Sequence, residues 1–158
     1  MNPRNNSKKL YLAGIAAIVS VAAGAAFASS IEETIKTRQA HLKDLGEAFK
    51  EVRDQLRNSQ PDLARIKTSA DTIANAATQM PNWFPQGSGP ESKVKTDAKP
   101  EIWADPAGFE KALKNFQGEA PKLQQLAAAN DVSGIRAQVG KLGGACKNCH
   151  DNYRVRRD

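Results

Sequence analysis

The stretch IRAQVGKLGGACKNCHDNY, residues 135–153, decides the fold. Ile135, Val139, Leu142, Cys146, Cys149 and Tyr153 recur at 4-3-4-3-4 spacing, the stripe of one helix face. Inside that stripe sits Cys146-Lys147-Asn148-Cys149-His150. Working back along the chain, three more segments show the same period. Phe109, Leu113, Phe116, Ala120, Leu123 and Ala127 are spaced 4-3-4-3-4, behind Asp105 as N-cap and Pro106 at the first helical position. Leu63, Ile66, Ala70, Ile73, Ala77 and Met80 are spaced 3-4-3-4-3, with Pro61 suited to the first turn and Pro81 as the stop. Ile31, Ile35, Arg38, Leu42, Leu45, Phe49, Val52 and Leu56 are spaced 4-3-4-3-4-3-4, a heptad seam with one charged member.

No stretch alternates with the period of a strand, so the fold class is all-α. Between the second and third segments, residues 81–105 hold Pro81, Pro85, Pro90, Pro100, Gly87 and Gly89 without helical period, which reads as a long connection. The economical architecture is an antiparallel four-helix bundle with one long crossover between helices 2 and 3. Pro121 lies inside the third stripe, so a kink or break is expected near Gly118.

The chain has 158 residues, 40% hydrophobic and 25% charged, which suits one globular domain. Its ends differ. Arg4, Lys8 and Lys9 precede an uncharged run from Leu10 to Ala23, and Ala26-Phe27-Ala28 follows. This is the layout of a secretory signal peptide cleaved after Ala28. A membrane anchor is the competing reading, since Leu10 to Ala28 could just span a bilayer. The expected division is a signal peptide over 1–28 and a bundle domain over 29–158. Without the leader, 20 basic residues face 17 acidic ones, a net charge of +3 rather than +6. Such a balance gives no nucleic-acid stripe, and no membrane association is expected after cleavage.

Two cysteines are too few for a disulfide framework or an all-cysteine zinc site. Cys-x-x-Cys-His instead reads as covalent attachment of a c-type haem. Two thiols one turn apart can form thioethers to two vinyl groups on one porphyrin edge, and the adjacent imidazole can bind the iron. The expectation is one haem c per chain, held through Cys146 and Cys149 inside one end of the bundle, with His150 as the metal ligand. Covalent attachment retains a cofactor outside the cytoplasm, where the leader would send the chain. A redox Cys-x-x-Cys belongs beside a βαβ pattern. A zinc site would need His41 from far away in sequence, and a plain disulfide gives His150 no role. Gly143 and Gly144 read either as a close approach of the macrocycle or as a tolerated weak spot worth about 1 kcal/mol each.

Arg38 stands where the first stripe predicts an apolar residue, and burying it unpaired would be costly. A haem propionate is a matching carboxylate partner; snorkelling to solvent or pairing with a neighbouring Glu is the plain alternative. The sixth iron position could be taken by Met80 or His41. Met80 otherwise reads as core and His41 as a boundary residue. If neither binds, the distal face is apolar, lined by Leu42 and Phe49, and suits a small neutral diatomic gas.

The chain here resembles the cytochrome c prime family, the class II c-type cytochromes. The likeness runs from about residue 31 to 157. It is carried by Arg38-Gln39-Ala40-His41-Leu42, Met80-Pro81-Asn82-Trp83, Lys99-Pro100-Glu101-Ile102-Trp103 and Cys146-Lys147-Asn148-Cys149-His150-Asp151-Asn152-Tyr153-Arg154. The resemblance implies a periplasmic four-helix bundle, often a homodimer, with Arg38 near a propionate and Arg154 near the proximal pocket. It also implies that the residue four after the arginine is a switch. Met there gives six-coordinate, low-spin electron carriers, and an apolar residue gives five-coordinate, high-spin members that bind nitric oxide and carbon monoxide. Leu42 places this chain with the second kind. The expected function is gas binding together with one-electron transfer to a redox partner protein, which the basic tail Arg154, Arg156 and Arg157 could dock. The alternative is a six-coordinate carrier with His41 or Met80 as sixth ligand. An enzyme is not expected, because no distal acid–base pair stands beside Leu42.

Overall fold

The computed structural model describes residues 15–156, with side chains from Ser30 onward. Among the described residues five helices follow one another: α1 Ile15–Gln55, α2 Leu63–Gln79, the single turn α3 Glu101–Ala104, α4 Pro106–Ala128 and α5 Val132–Tyr153. Among the described residues there is no strand, only an isolated antiparallel bridge between Ala98 and Arg154. The signal-peptide expectation falls on residues 1–28, which lie outside the residues with described side chains. The α1 backbone runs unbroken from Ile15 through that position. Among the described residues, no helix is long and apolar enough to cross a membrane.

The stripes become the core. Ile35, Val52, Ile66, Ile73, Ala120, Leu123, Ile135 and Leu142 have no exposed surface. Burying one of the Ile, Leu or Val side chains stabilises by roughly 1.5–3 kcal/mol. The caps are built as the sequence suggests for α4, where the Asp105 carboxylate accepts from Gly108 N at 3.0 Å. At α2 the cap is instead Asp62, which accepts from Ala64 N and Arg65 N, so Pro61 lies just ahead of the helix rather than in its first turn. After Gln79 the chain tightens into a 3-10 turn, Met80–Trp83, around Pro81.

Pro121 neither ends nor interrupts α4. Its ring lies on the exposed face, so the carbonyl that loses an N–H partner can face water. Gln138, buried on α5, braces the same turn by donating to the Glu119 carbonyl at 3.0 Å and to its carboxylate at 2.6 Å.

The helices alternate in direction. Gln117 bonds Ala77 and Gln124 bonds Asp71 across α4 and α2. Arg65 pairs with Glu51 across α2 and α1. Close backbone packing joins α1 to α2, α2 to α4 and α4 to α5, but not α5 to α1 to the same degree. Those two helices meet at the far end, where Arg136 donates to the Leu56 carbonyl at 2.5 Å. They are separated at the end that holds Arg38 and His150. The long connection stays at this end, as two 3-10 turns, α3 and an extended stretch, so the antiparallel bundle has its irregular segment lying over the gap.

Candidate functional site

A cavity of about 700 Å³ fills that gap. This is within the range of cofactor pockets, about 300–1,000 Å³. Its walls are mainly apolar, with Leu42 and Phe49 from α1, Ile73 from α2, Phe109 and Phe116 from α4 and Leu142 from α5. On the α5 wall stand Cys146, Cys149 and His150, one turn from first to last. Both cysteines are free thiols and half-buried. Burial pushes both up, and with the Cys146 charge it takes Cys149 to about 11, so the thiols stay protonated at neutral pH. His150 reaches solvent at the mouth. Its partial burial, and next the Arg154 charge, push the imidazole below its ordinary value, with Asp151 pulling the other way. The neutral form that results is the one whose ring nitrogen can bind a metal.

The charged lining is lopsided. Arg38, Lys43, Lys95 and Arg154 face the cavity against Asp97 alone. An apolar slot of this volume, rimmed by cations and carrying two reduced thiols and a neutral imidazole on one helix turn, fits a planar organic group with acidic substituents. A haem meets each of these terms. Nothing in the donor set conflicts with it.

The residues singled out in the sequence therefore come together: Arg38, Leu42, Phe49, Cys146, Cys149, His150 and Arg154 all line one cavity. Met80 lines it too, while 8% exposed and part of the core. His41 does not belong to the lining. Its ring stacks on Trp83, centroids 4.9 Å apart and planes 20° apart, which takes it out of the reckoning as a sixth ligand and as the fourth ligand of a zinc site. Gly143 and Gly144 are not lining residues either. A Cβ on Gly143 would touch the Phe49 ring at 3.6 Å, and one on Gly144 would meet no other atom of the chain within 4 Å.

Arg38 is neither snorkelling nor paired with a neighbouring carboxylate. It is 2% exposed. Nη1 donates to Ser88 Oγ at 2.9 Å and to the Trp83 carbonyl at 3.4 Å, and Nη2 to the Ser88 carbonyl at 2.9 Å and Thr96 Oγ1 at 3.0 Å. The Phe84 ring lies 4.9 Å from the guanidinium carbon. Ser88 and Thr96 were missed by sequence reasoning, since the connection has no period to mark them.

The connection also grips the end of α5. Lys99 N donates to the Tyr153 carbonyl at 3.0 Å and Val155 N to the Asp97 carbonyl at 2.8 Å. Tyr153 OH donates to Asp105 Oδ2 at 3.2 Å. In the basic tail, Arg156 is paired with Asp151 at 2.6 Å, and Arg157 lies outside the described residues.

Comparison with known proteins agrees with this arrangement. The profile of the family described as Cytochrome C' matches residues 33–154. A cytochrome c' of Alcaligenes xylosoxydans xylosoxydans is 34% identical over 127 residues, covering 80% of this chain and 96% of the relative. One of Rhodopseudomonas palustris is 32% identical over 150 residues, covering 94% of this chain and 99% of the relative. Among solved structures, a cytochrome c' described as having ligand-controlled dimer dissociation superimposes with a TM-score of 0.74 at 29% identity, covering 80% of this chain and 97% of its own. A nitric oxide complex of a cytochrome c prime variant from Alcaligenes xylosoxidans gives 0.71 at 30% identity, covering 80% and 97%. With a profile match over most of its length and relatives above 30% identity, the chain belongs to the cytochrome c' family.

Proposed function

We propose that this chain is a periplasmic haem protein that binds nitric oxide or carbon monoxide and takes part in one-electron transfer. The observation that carries the reading is the cavity between α1 and α5, with two free thiols and a neutral imidazole on one wall and Leu42 and Phe49 on the other. Cys146 and Cys149 would hold one haem c through thioethers, and His150 would ligate its iron. When bound, such a haem supplies an iron that takes up one electron or one diatomic ligand.

The chain's own residues set the terms of that chemistry. Burial holds the thiols protonated at neutral pH. His150 is kept neutral, and Arg154 reinforces that. Leu42 and Phe49 exclude water and present no hydrogen-bond donor. Leu42 therefore supports a five-coordinate, high-spin site. The nitric oxide complex of a relative supports gas as the ligand. The relatives are named cytochromes, which supports binding and electron transfer over catalysis.

The same reading makes residues 1–28 a signal peptide removed after Ala28 and 29–158 the working domain. It makes the protein a homodimer, as the relative with ligand-controlled dimer dissociation suggests. A redox partner with an acidic face would meet the basic C-terminal tail.

The optical spectrum of the reduced, exported protein with and without carbon monoxide, combined with the mass of the intact chain, tests this. The expected result is a chain heavier by one haem and starting at Ser29, with a high-spin ferrous spectrum that shifts on adding carbon monoxide. A low-spin spectrum that carbon monoxide leaves unchanged would overturn the open site. A chain without covalent haem would overturn the whole assignment. Met80 is the one observation favouring a six-coordinate form, because it stands on the cavity wall; a low-spin spectrum lost in Met80→Leu would establish it.

A further inference from the structure

The inference here rests on the haem reading and concerns the phenol in the cavity wall. That reading consumes the two cysteines as thioethers, which leaves Met80 and Tyr153 as oxidisable side chains on the lining. Trp83 and Trp103 are not lining residues. A methionine thioether is oxidised by gaining an oxygen atom, a two-electron change. A phenol gives up one electron at a time, and Tyr153 is the one phenol among the described residues. It lies on α5 one turn beyond His150, on the same side of the helix.

The surroundings of Tyr153 suit the loss of an electron. The residue is 8% exposed, and its ring meets Phe109 edge to face with centroids 5.2 Å apart. Its hydroxyl donates to Asp105 Oδ2 at 3.2 Å. Asp105 is exposed, and its other oxygen accepts from Gly108 N at 3.0 Å, which holds the carboxylate in place. Tyr153 thus joins the cavity wall to a base that reaches water. Burial first, then the bond to Asp105 and its charge, push the phenol above its ordinary value, so it keeps its proton at neutral pH. A phenol that loses an electron becomes strongly acidic. Holding the resulting positive charge in a buried ring would be costly, so the proton must leave with the electron, and Asp105 is placed to take it.

We propose that Tyr153 is a one-electron donor to the haem, with Asp105 as its proton acceptor, and that the pair discharges the haem after it has met a peroxide. For the ferrous protein the electrons balance. Hydrogen peroxide takes two electrons and two protons as its O–O bond breaks, and ends as two waters. One electron comes from the iron, which passes from ferrous to ferric. The other comes from Tyr153: its O–H bond breaks, the proton passes to Asp105 and on to solvent, and a neutral tyrosyl radical remains. Solvent supplies the two protons. Without this donor the second electron is drawn from the macrocycle, which is bleached.

Freeze-quench electron paramagnetic resonance of the ferrous holoprotein, mixed with one equivalent of hydrogen peroxide, reads the radical, and the haem absorbance reads bleaching. The expected result is a radical signal in the wild type that narrows when the tyrosine is ring-deuterated. Tyr153→Phe is expected to retain covalent haem, to lose the signal and to bleach faster. Asp105→Asn keeps an oxygen to cap Gly108 and to accept from the hydroxyl, but it cannot take up the proton. It is expected to lose most of the signal at unchanged haem content. No radical in the wild type, a radical that ignores the label, or one that persists in Tyr153→Phe would overturn the proposal. A signal undiminished in Asp105→Asn would overturn the part given to Asp105, and equal bleaching in wild type and Tyr153→Phe the discharge. Absence of covalent haem from the wild-type chain would overturn the haem reading instead, so the two failures are distinct.

Discussion

Arg38 grips Ser88 twice, Nη1 on the hydroxyl and Nη2 on the carbonyl, each at 2.9 Å. Ser88 has no exposed surface, and its Oγ in turn donates to the Pro85 carbonyl at 2.7 Å. A charged residue in an apolar seam thus becomes the post around which a segment without regular structure is wound. The planar fork of arginine suits this task because it presents several donors in fixed directions.

Removing that post should be costly. Arg38→Ala leaves the Ser88 carbonyl without its donor, cuts Thr96 Oγ1 back to the Ala98 N–H and opens a hole beneath Phe84. A loss of about 2–4 kcal/mol in unfolding free energy is expected, in the range for a broken buried network. Arg38→Lys should recover less than half of it, since one ammonium cannot span both Ser88 and Thr96. Urea denaturation of the holoprotein measures the loss. Faster amide exchange confined to residues 88–96 would show that the segment, rather than the bundle, has loosened.

Leu42 stands one turn beyond Arg38 on α1, half-buried on the cavity wall. Leu42→Met puts a thioether there with little change of volume, a swap that cores tolerate at under about 1.5 kcal/mol. The expected outcome is a low-spin ferrous spectrum and carbon monoxide uptake slowed by about tenfold or more, the factor that about 1.4 kcal/mol of iron–sulfur bonding would supply. Stopped-flow mixing of the reduced variant with carbon monoxide checks it. Unaltered uptake would mean that residue 42 does not face the ligand side.

How much of this was legible follows from what periodicity can carry. The four stripes are local, so the helices, the Asp105 cap and the thiol–imidazole turn could be read from neighbours three and four residues apart. The partners of Arg38 could not, because Ser88 and Thr96 are 50 and 58 residues away in a segment without period. Of the kink or break expected at Pro121, the break does not occur: α4 runs on through it, because the ring faces solvent and the carbonyl that loses its partner can face water. Gln138 was passed over because a polar residue beside Ile135 and Leu142 looks like the edge of a stripe. In the folded chain it is 4% exposed and bonded across to α4. His41 was a candidate ligand on composition alone, and the stack on Trp83 is a contact that no spacing rule encodes.

Gly108 sits where the cap of α4 meets the end of α5. A Cβ there would collide with the Asp105 carboxylate and the Tyr153 hydroxyl, the two groups joined by the Tyr153–Asp105 hydrogen bond. Gly108→Ala should therefore break the cap, at about 1–2 kcal/mol, despite the better helix propensity of alanine. Tyr153→Phe removes only the hydroxyl and should cost about 1 kcal/mol. In the double variant the two losses should add to less than their separate values, since they share a partner. Thermal unfolding of the four proteins completes the cycle.

The Glu119–Gln138 contact gives a pH signature. Lys122 first, and Gln138 next, hold the Glu119 carboxyl below its ordinary 4.5. A carboxyl lowered in the folded state binds fewer protons there than in the unfolded chain. Its contribution to stability is therefore present above pH 4.5 and is lost as the pH falls through the folded-state value. Glu119→Gln should be less stable than wild type at pH 7, with the difference shrinking below pH 4.5. Gln138→Ala additionally strips the Glu119 carbonyl of its cross-helix donor and should lose about 1–2 kcal/mol at neutral pH. Because a carbonyl does not titrate in this range, part of that loss should persist at pH 3, whereas the Glu119→Gln difference should not. Urea midpoints of the three proteins between pH 3 and 7 separate the two. Parallel curves for wild type and Glu119→Gln across the whole range would mean that the carboxylate is not what holds Gln138 in the core.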